Sequence, residues 1–190
     1  GTFQLAVSGT YTGSFNVASG ANLVLQTGPH TFNVGASFSG SGTVTSQSNL
    51  IVNTDLTINT LDNSGTIAIA SGKTLTATSP TLSGGTISGL GTLAISGTSN
   101  LTVSSTVSGN LLNTGTLNIS GVNRQLLLNS PGVLTNALGA TLAITTTANP
   151  GITGSGQLDN FGLITSTGTA GISVNNYSNK SGGEIRALSG

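Results

Sequence analysis

Along the whole chain, apolar residues recur at every second position in runs of four or five, and Gly, Ser or Asn breaks each run. Ile67 and Ile69 make one run, Ser71-Gly72 interrupts it, and Leu75 and Ala77 make the next; beyond Ser79-Pro80, Leu82 and Ile87 form a third, looser side. The layout returns with Leu93 and Ile95, Leu101 and Val103, then Val107, and again with Leu117 and Ile119, Leu126 and Leu128, then Val133. Alternation of this period and length marks strands with one buried face. A 3.6-residue period is nowhere sustained, and Gln125–Leu128, the nearest approach to one, is too short for a helix.

The strand starts are evenly placed. Gly20, Gly42, Gly65, Gly91, Gly115, Gly139, Gly162 and Gly183 each precede a short apolar run, at intervals of 22, 23, 26, 24, 24, 23 and 21 residues. Such spacing predicts an all-β parallel β-helix (β-solenoid) over 1–190 as a single domain, with three strands per coil, about 23 residues per coil and about eight coils. One coil alone buries too little to offset its ordering entropy. Stacked at the β spacing of about 4.8 Å, its strands gain backbone partners above and below and its Leu, Ile and Val side chains form columns. Asn63, Asn113 and Asn160 each stand two residues before a recurring glycine, which predicts an asparagine column at one corner.

Composition narrows the function. Lys and Arg number 4, Asp and Glu 4, and the net charge is zero, far below the ~25% charged residues of ordinary soluble domains. Lys73, Arg124, Lys180 and Arg186 are too few and too scattered for a basic stripe, so nucleic acid is not an expected partner. A mean hydropathy of +0.24 argues for folding over low-complexity disorder. The chain has no cysteine. No apolar run reaches the roughly 18 residues of a membrane span, so membrane insertion is not expected. No basic segment followed by an apolar core marks a leader; a signal peptide would lie outside these residues.

Runs such as Tyr11-Thr-Gly-Ser-Phe-Asn-Val-Ala-Ser-Gly20, Asn63-Ser-Gly-Thr-Ile-Ala-Ile-Ala-Ser-Gly-Lys-Thr-Leu75 and Asn113-Thr-Gly-Thr-Leu-Asn-Ile-Ser resemble the Gly/Thr/Ser/Asn-rich repeats of bacterial cell-surface adhesins and autotransporter passengers. That resemblance covers nearly the whole chain. It implies a secreted or surface-displayed parallel β-helix that serves as a stalk, spacer or fibre subunit. It brings no catalytic residues with it. Joined end to end, Gly183–Gly190 and Gly1–Leu5 align with Gly65–Ala77: Ile185 falls on Ile67, Gly190 on Gly72 and Phe3 on Leu75. The seam reads as one coil of about 27 residues, so end-to-end self-association or a tandem array is expected.

Enzyme chemistry finds little support. The acids are Asp55, Asp62, Asp159 and Glu184. Asp62 and Asp159 both lie three residues before a recurring glycine and are expected to share a column, at roughly 19 Å, whereas a glycosidase pair needs about 5 to 9.5 Å. The pairs Gly84-Gly85 and Gly182-Gly183 are not followed by the aspartate of a calcium-binding repeat. His30, beside Pro29, is expected to be a surface turn residue with no partner for general-base work. No catalytic, cofactor-binding or metal-binding residues are assigned, and no cofactor is expected. Two binding functions remain as alternatives. Ice binding needs two outward threonine columns; Thr43, Thr66, Thr92 and Thr116 suggest one, but Thr45, Ala68, Ala94 and Asn118 break the other. Carbohydrate binding wants exposed aromatics, and only Tyr11, Tyr177 and five phenylalanines are present, with no Trp. Phe3, Phe15, Phe32 and Phe38 read as core.

Overall fold

The computed structural model describes residues 1–189, and within them every regular element is a β-strand and every strand pairing is parallel. The strands fall on three faces. Face one stacks β1 (Thr2–Leu5), β4 (Asn22–Leu25), β7 (Thr43–Ser46), β10 (Thr60–Asn63), β13 (Thr81–Ser83), β16 (Thr98–Val103), β19 (Thr116–Gly121), β22 (Thr141–Thr146), β24 (Leu163–Thr167) and β26 (Glu184–Leu188). Face two stacks β2 (Gly9–Tyr11), β5 (His30–Phe32), β8 (Asn49–Val52), β11 (Thr66–Ile69), β14 (Thr86–Gly89), β17 (Ser105–Val107) and β20 (Leu126–Leu128). Face three holds β3 (Ser14–Asn16), β6 (Ser37–Ser39), β9 (Leu56–Ile58), β12 (Thr74–Ala77), β15 (Thr92–Ile95), β18 (Asn110–Asn113) and β21 (Val133–Asn136). On this face β3 and β6 pair with each other but not with β9. Two long strands, β23 (Ile152–Asn160) and β25 (Ile172–Asn179), turn the corner and serve face two with their first halves and face three with their second. The result is a parallel β-solenoid of nine three-strand coils, with β26 opening a tenth.

The coil is shorter than the glycine spacing suggests. Gln4, Val24, Thr45, Asp62, Thr81, Asn100, Asn118, Ala143, Thr165 and Arg186 stand above one another on face one. The steps between them are 20, 21, 17, 19, 19, 18, 25, 22 and 21 residues, a mean of about 20 in place of about 23. The reason lies between Gly42 and Gly115. Gly42 opens β7 on face one, Gly65 opens β11 on face two, Gly91 opens β15 on face three, and Gly115 opens β19 on face one again. Each of those three intervals spans four strands, so four coils occupy a stretch in which the glycines mark three. Hence the count is nine coils. Ile87, assigned above to the third side of its unit, already sits on a fourth strand, β14. The end-to-end seam needs the same correction: β26 and β1 both belong to face one, so Gly183 to Gly20 would hold four strands, and the match of Gly190 to Gly72 lies outside the described residues.

Aliphatic columns fill the interior. Leu50, Ile67, Ile87, Val107 and Leu128 align on face two; Leu56, Leu75, Leu93, Leu111, Leu134 and Leu158 align on face three, all buried. Each fully buried Leu or Ile contributes about 1.5–3 kcal/mol. The first two coils are packed with rings instead: Tyr11 lies 5.0 Å from Phe32, and Phe15 lies 5.0 Å from Phe38. Phe32 is fully buried and Phe15 and Phe38 are half-buried, but Phe3, read as core, is 66% exposed. Where coils touch at corners, backbone approaches backbone. A Cβ on Gly85, whose φ is +76°, would lie 1.9 Å from the Gly65 carbonyl oxygen.

The asparagine column exists, with different members. Asn113, Asn136, Asn160 and Asn179 stack at the end of face three, above Ile95 and Ala77. Asn113 Nδ2 donates to Asn136 Oδ1 at 2.8 Å, Asn136 Nδ2 to Asn160 Oδ1 at 2.8 Å, and Asn160 Nδ2 to Asn179 Oδ1 at 2.7 Å. The same amides reach the carbonyls of Thr141, Leu163 and Glu184 across the corner. Asn63 lies on face one in β10, where its Nδ2 donates to the Gly65 carbonyl.

Candidate functional site

Since strands alternate, every second side chain faces outward, and the exterior is built largely from Thr, Ser and Asn (Thr10, Thr31, Thr66, Thr86 and Thr106 on face two are examples). Acids are spread over this surface. Asp62 is on face one and Asp159 on face three, so the two do not share a column as the glycine spacing suggests. Asp62 accepts from the Ser83 hydroxyl and Asp55 from the Thr74 amide. Asp159 accepts from Gln157 Nε2 and lies 3.5 Å from Lys180 Nζ. Glu184 takes two bonds from Arg186, which holds its carboxyl below the ordinary range. Among the described residues, no group of three or more His, Asp or Glu could hold a metal ion.

His30 is not a surface residue. It is fully buried in β5, in the column between Gly9 and Leu50, because the alternation that puts Phe32 inward puts His30 inward too. The Tyr11 hydroxyl bonds its Nδ1 at 3.0 Å, and the two rings stack with centroids 6.0 Å apart. Burial pushes the imidazole below its usual range, with the Thr27 carbonyl pulling the other way, and burial pushes the Tyr11 hydroxyl up. Sequence reading missed this pair. The signal was available in the two-residue spacing of His30 and Phe32.

The threonine columns also differ from expectation. Thr43 and Thr116 lie on face one, Thr66 on face two and Thr92 on face three, so they form no column. A different hydroxyl column exists on face one, where Thr43 pairs with Thr60, and Thr98 with Thr116 and Thr116 with Thr141. Its neighbour reads Thr45, Asp62, Thr81, Asn100, Asn118 and is chemically mixed.

Two clefts with apolar linings lie in the first and last coils. At the first, Phe3, Phe15, Val17, Ala21 and Leu23 line a cleft of about 360 Å³. At the last, Ile144, Ile164, Ile172, Val174, Tyr177 and Ile185 line one of about 550 Å³. Tyr177 and Ile185 are 39% and 53% exposed, although the column positions beneath them, Leu158 and Ile164, are fully buried. Among the described residues, the first and last coils therefore present exposed side chains that stand in register with core columns. Such a coil can pair with further strands, which makes these two the candidate interaction surfaces.

Compared with protein-family models, with curated proteins and with solved structures, the chain matches none.

Proposed function

We propose that this chain is a structural and adhesive element, a stalk, spacer or fibre subunit of a secreted bacterial surface protein, that stacks end to end and performs no catalysis. One observation supports the reading above the rest: nine coils stack in parallel on a continuous core, packed with rings in the first two coils and mostly aliphatic beyond, and side chains in register with that core are exposed in the first and last coils. Nine spacings of about 4.8 Å make a rod of about 43 Å. Its exterior of hydroxyls and amides, with two of its four acids paired to cations, gives little purchase for charged ligands. The scattered acids and the enclosed His30 fit a passive shaft better than an active centre. Electron microscopy of the purified protein tests the reading: rods or filaments one solenoid wide are expected, and dispersed particles at all concentrations would overturn end-to-end stacking.

Ice binding is the second reading, favoured by the Thr98, Thr116 and Thr141 column. The mixed column beside it weakens a lattice match. Thermal hysteresis separates the two: none is expected of a shaft.

A further inference from the structure

We propose that coils one and two form an acid-sensitive section of the solenoid, which opens by itself when the His30 imidazole takes up a proton and uncovers the phenylalanine cluster beside it. The device acts inside the chain and needs no partner.

The imidazole is held where a charge has no company. His30 is fully buried, the Tyr11 hydroxyl bonds its Nδ1 at 3.0 Å, and its Nε2 is buried without a hydrogen-bond partner. A protonated ring donates from both nitrogens, and one hydroxyl can accept from only one of them. Residues 1–54 contain no Asp, Glu, Lys or Arg, so no counter-charge stands on any strand from β1 to β8. Tyr11 is the other titratable side chain on those strands, and burial pushes its hydroxyl up, so it stays neutral. The first acid along the chain, Asp55, accepts from the Thr74 amide one coil further on. Only the Thr27 carbonyl favours the charged ring, and burial outweighs it. An unpaired charge is costly in such a place, and opening the section to water relieves it.

Two features confine the opening. The rings of Phe15, Phe32 and Phe38 pack on Tyr11 and on one another with centroids 5.0 to 5.7 Å apart, so the cluster that His30 stacks against is closed within residues 11–38. The backbone ladder of face three is also interrupted at this point: β3 pairs with β6, and β9 starts a separate run of pairings with β12. Coils one and two are therefore tied to coil three by strand pairing on two faces only, β4 to β7 and β5 to β8. In a solenoid each coil leans on its immediate neighbours, so a section with a weak boundary opens at its own free energy and leaves the rest in place.

Amide exchange of the whole chain at about pH 7 and pH 5, corrected for intrinsic exchange rates and read by mass spectrometry, tests the device. A free imidazole titrating near pH 6.5 favours the open form by at most about 30-fold at pH 5. Protection over residues 9–52 is expected to fall by about 10- to 30-fold, while protection over residues 86–160 changes less than about twofold. His30→Leu, uncharged at both pH values, should keep its protection. A loss spread evenly over all coils, no loss at pH 5, or the same loss in His30→Leu overturns the proposal. If that variant does not fold, the ring resonance of His30, the chain's single histidine, decides in the parent protein. A ring that stays neutral in the folded form down to about pH 5, its charged form appearing only with the open state, supports the device; a ring that titrates near pH 6.5 within the folded form overturns it.

Discussion

Replacing Asn136 with alanine removes the middle rung of the buried amide ladder. Asn136 donates to Asn160 Oδ1 at 2.8 Å and to the Leu163 carbonyl at 3.1 Å, and it accepts from Asn113 Nδ2 at 2.8 Å. Asn113 and Asn160 are fully buried, so water does not take over these bonds. Each buried polar group left without its partner costs about 1–3 kcal/mol, and Asn160 Oδ1 and the Leu163 carbonyl both lose this donor. Asn113 Nδ2 keeps the Thr141 carbonyl and adds less. The expected loss is about 3–5 kcal/mol. Asn118→Ala is the control, since its single amide bond to Asn100 is exposed on face one; it should stay within about 0.5 kcal/mol. Guanidinium unfolding followed by circular dichroism gives both values, and amide exchange shows whether protection is lost around coils six to nine. If Asn136→Ala costs no more than Asn118→Ala, the ladder does not hold the corner and the reasoning fails.

Three further outcomes follow from the same geometry. Gly85→Ala should destabilise severely or prevent folding, because its Cβ would meet the Gly65 carbonyl oxygen, whereas Gly72→Ala, at φ +69° with open space around it, should cost only about 1–2 kcal/mol; equal thermal shifts for the two would contradict the packing of that corner. Leu93→Ala in the face-three column should cost about 2–5 kcal/mol in chemical unfolding, and a loss below 1 kcal/mol would argue against a tightly packed interior. His30 titrates lower when folded than when unfolded, so the unfolded chain takes up the proton first: stability is full above about pH 6.5 and declines as the pH falls below it. His30→Leu should flatten that decline, and a parent protein equally stable at about pH 7 and pH 5 would count against it.

The strands, their parallel stacking and the three-sided coil were legible in the alternation of residues such as Ile67 and Ile69, since a period of two with one apolar face admits few other folds. The phase of the coil was not. Gly-Thr followed by apolar-x-apolar opens β11 on face two, β15 on face three and β19 on face one, because every face asks the same of its strand: a corner, a hydroxyl outside and aliphatic groups inside. A local motif that suits all three faces cannot tell which face it is on, and the misplaced threonine columns and the Asp62–Asp159 pairing both came from that degeneracy. Asn136 escaped notice because Ala137 and Leu138 separate it from Gly139, which breaks the two-residue rule without moving the side chain off its column.

The register carries a consequence for how such a chain comes to be folded. The most distant residues paired along face one, Asn118 and Ala143, are 25 positions apart, and most are about 20 apart. A winding needs only its immediate predecessor as a template and nothing from the far end of the polypeptide. Assembly can therefore advance as a growing front, with each new turn closing as soon as its own residues, about 20 on average, are free to lie on the one before.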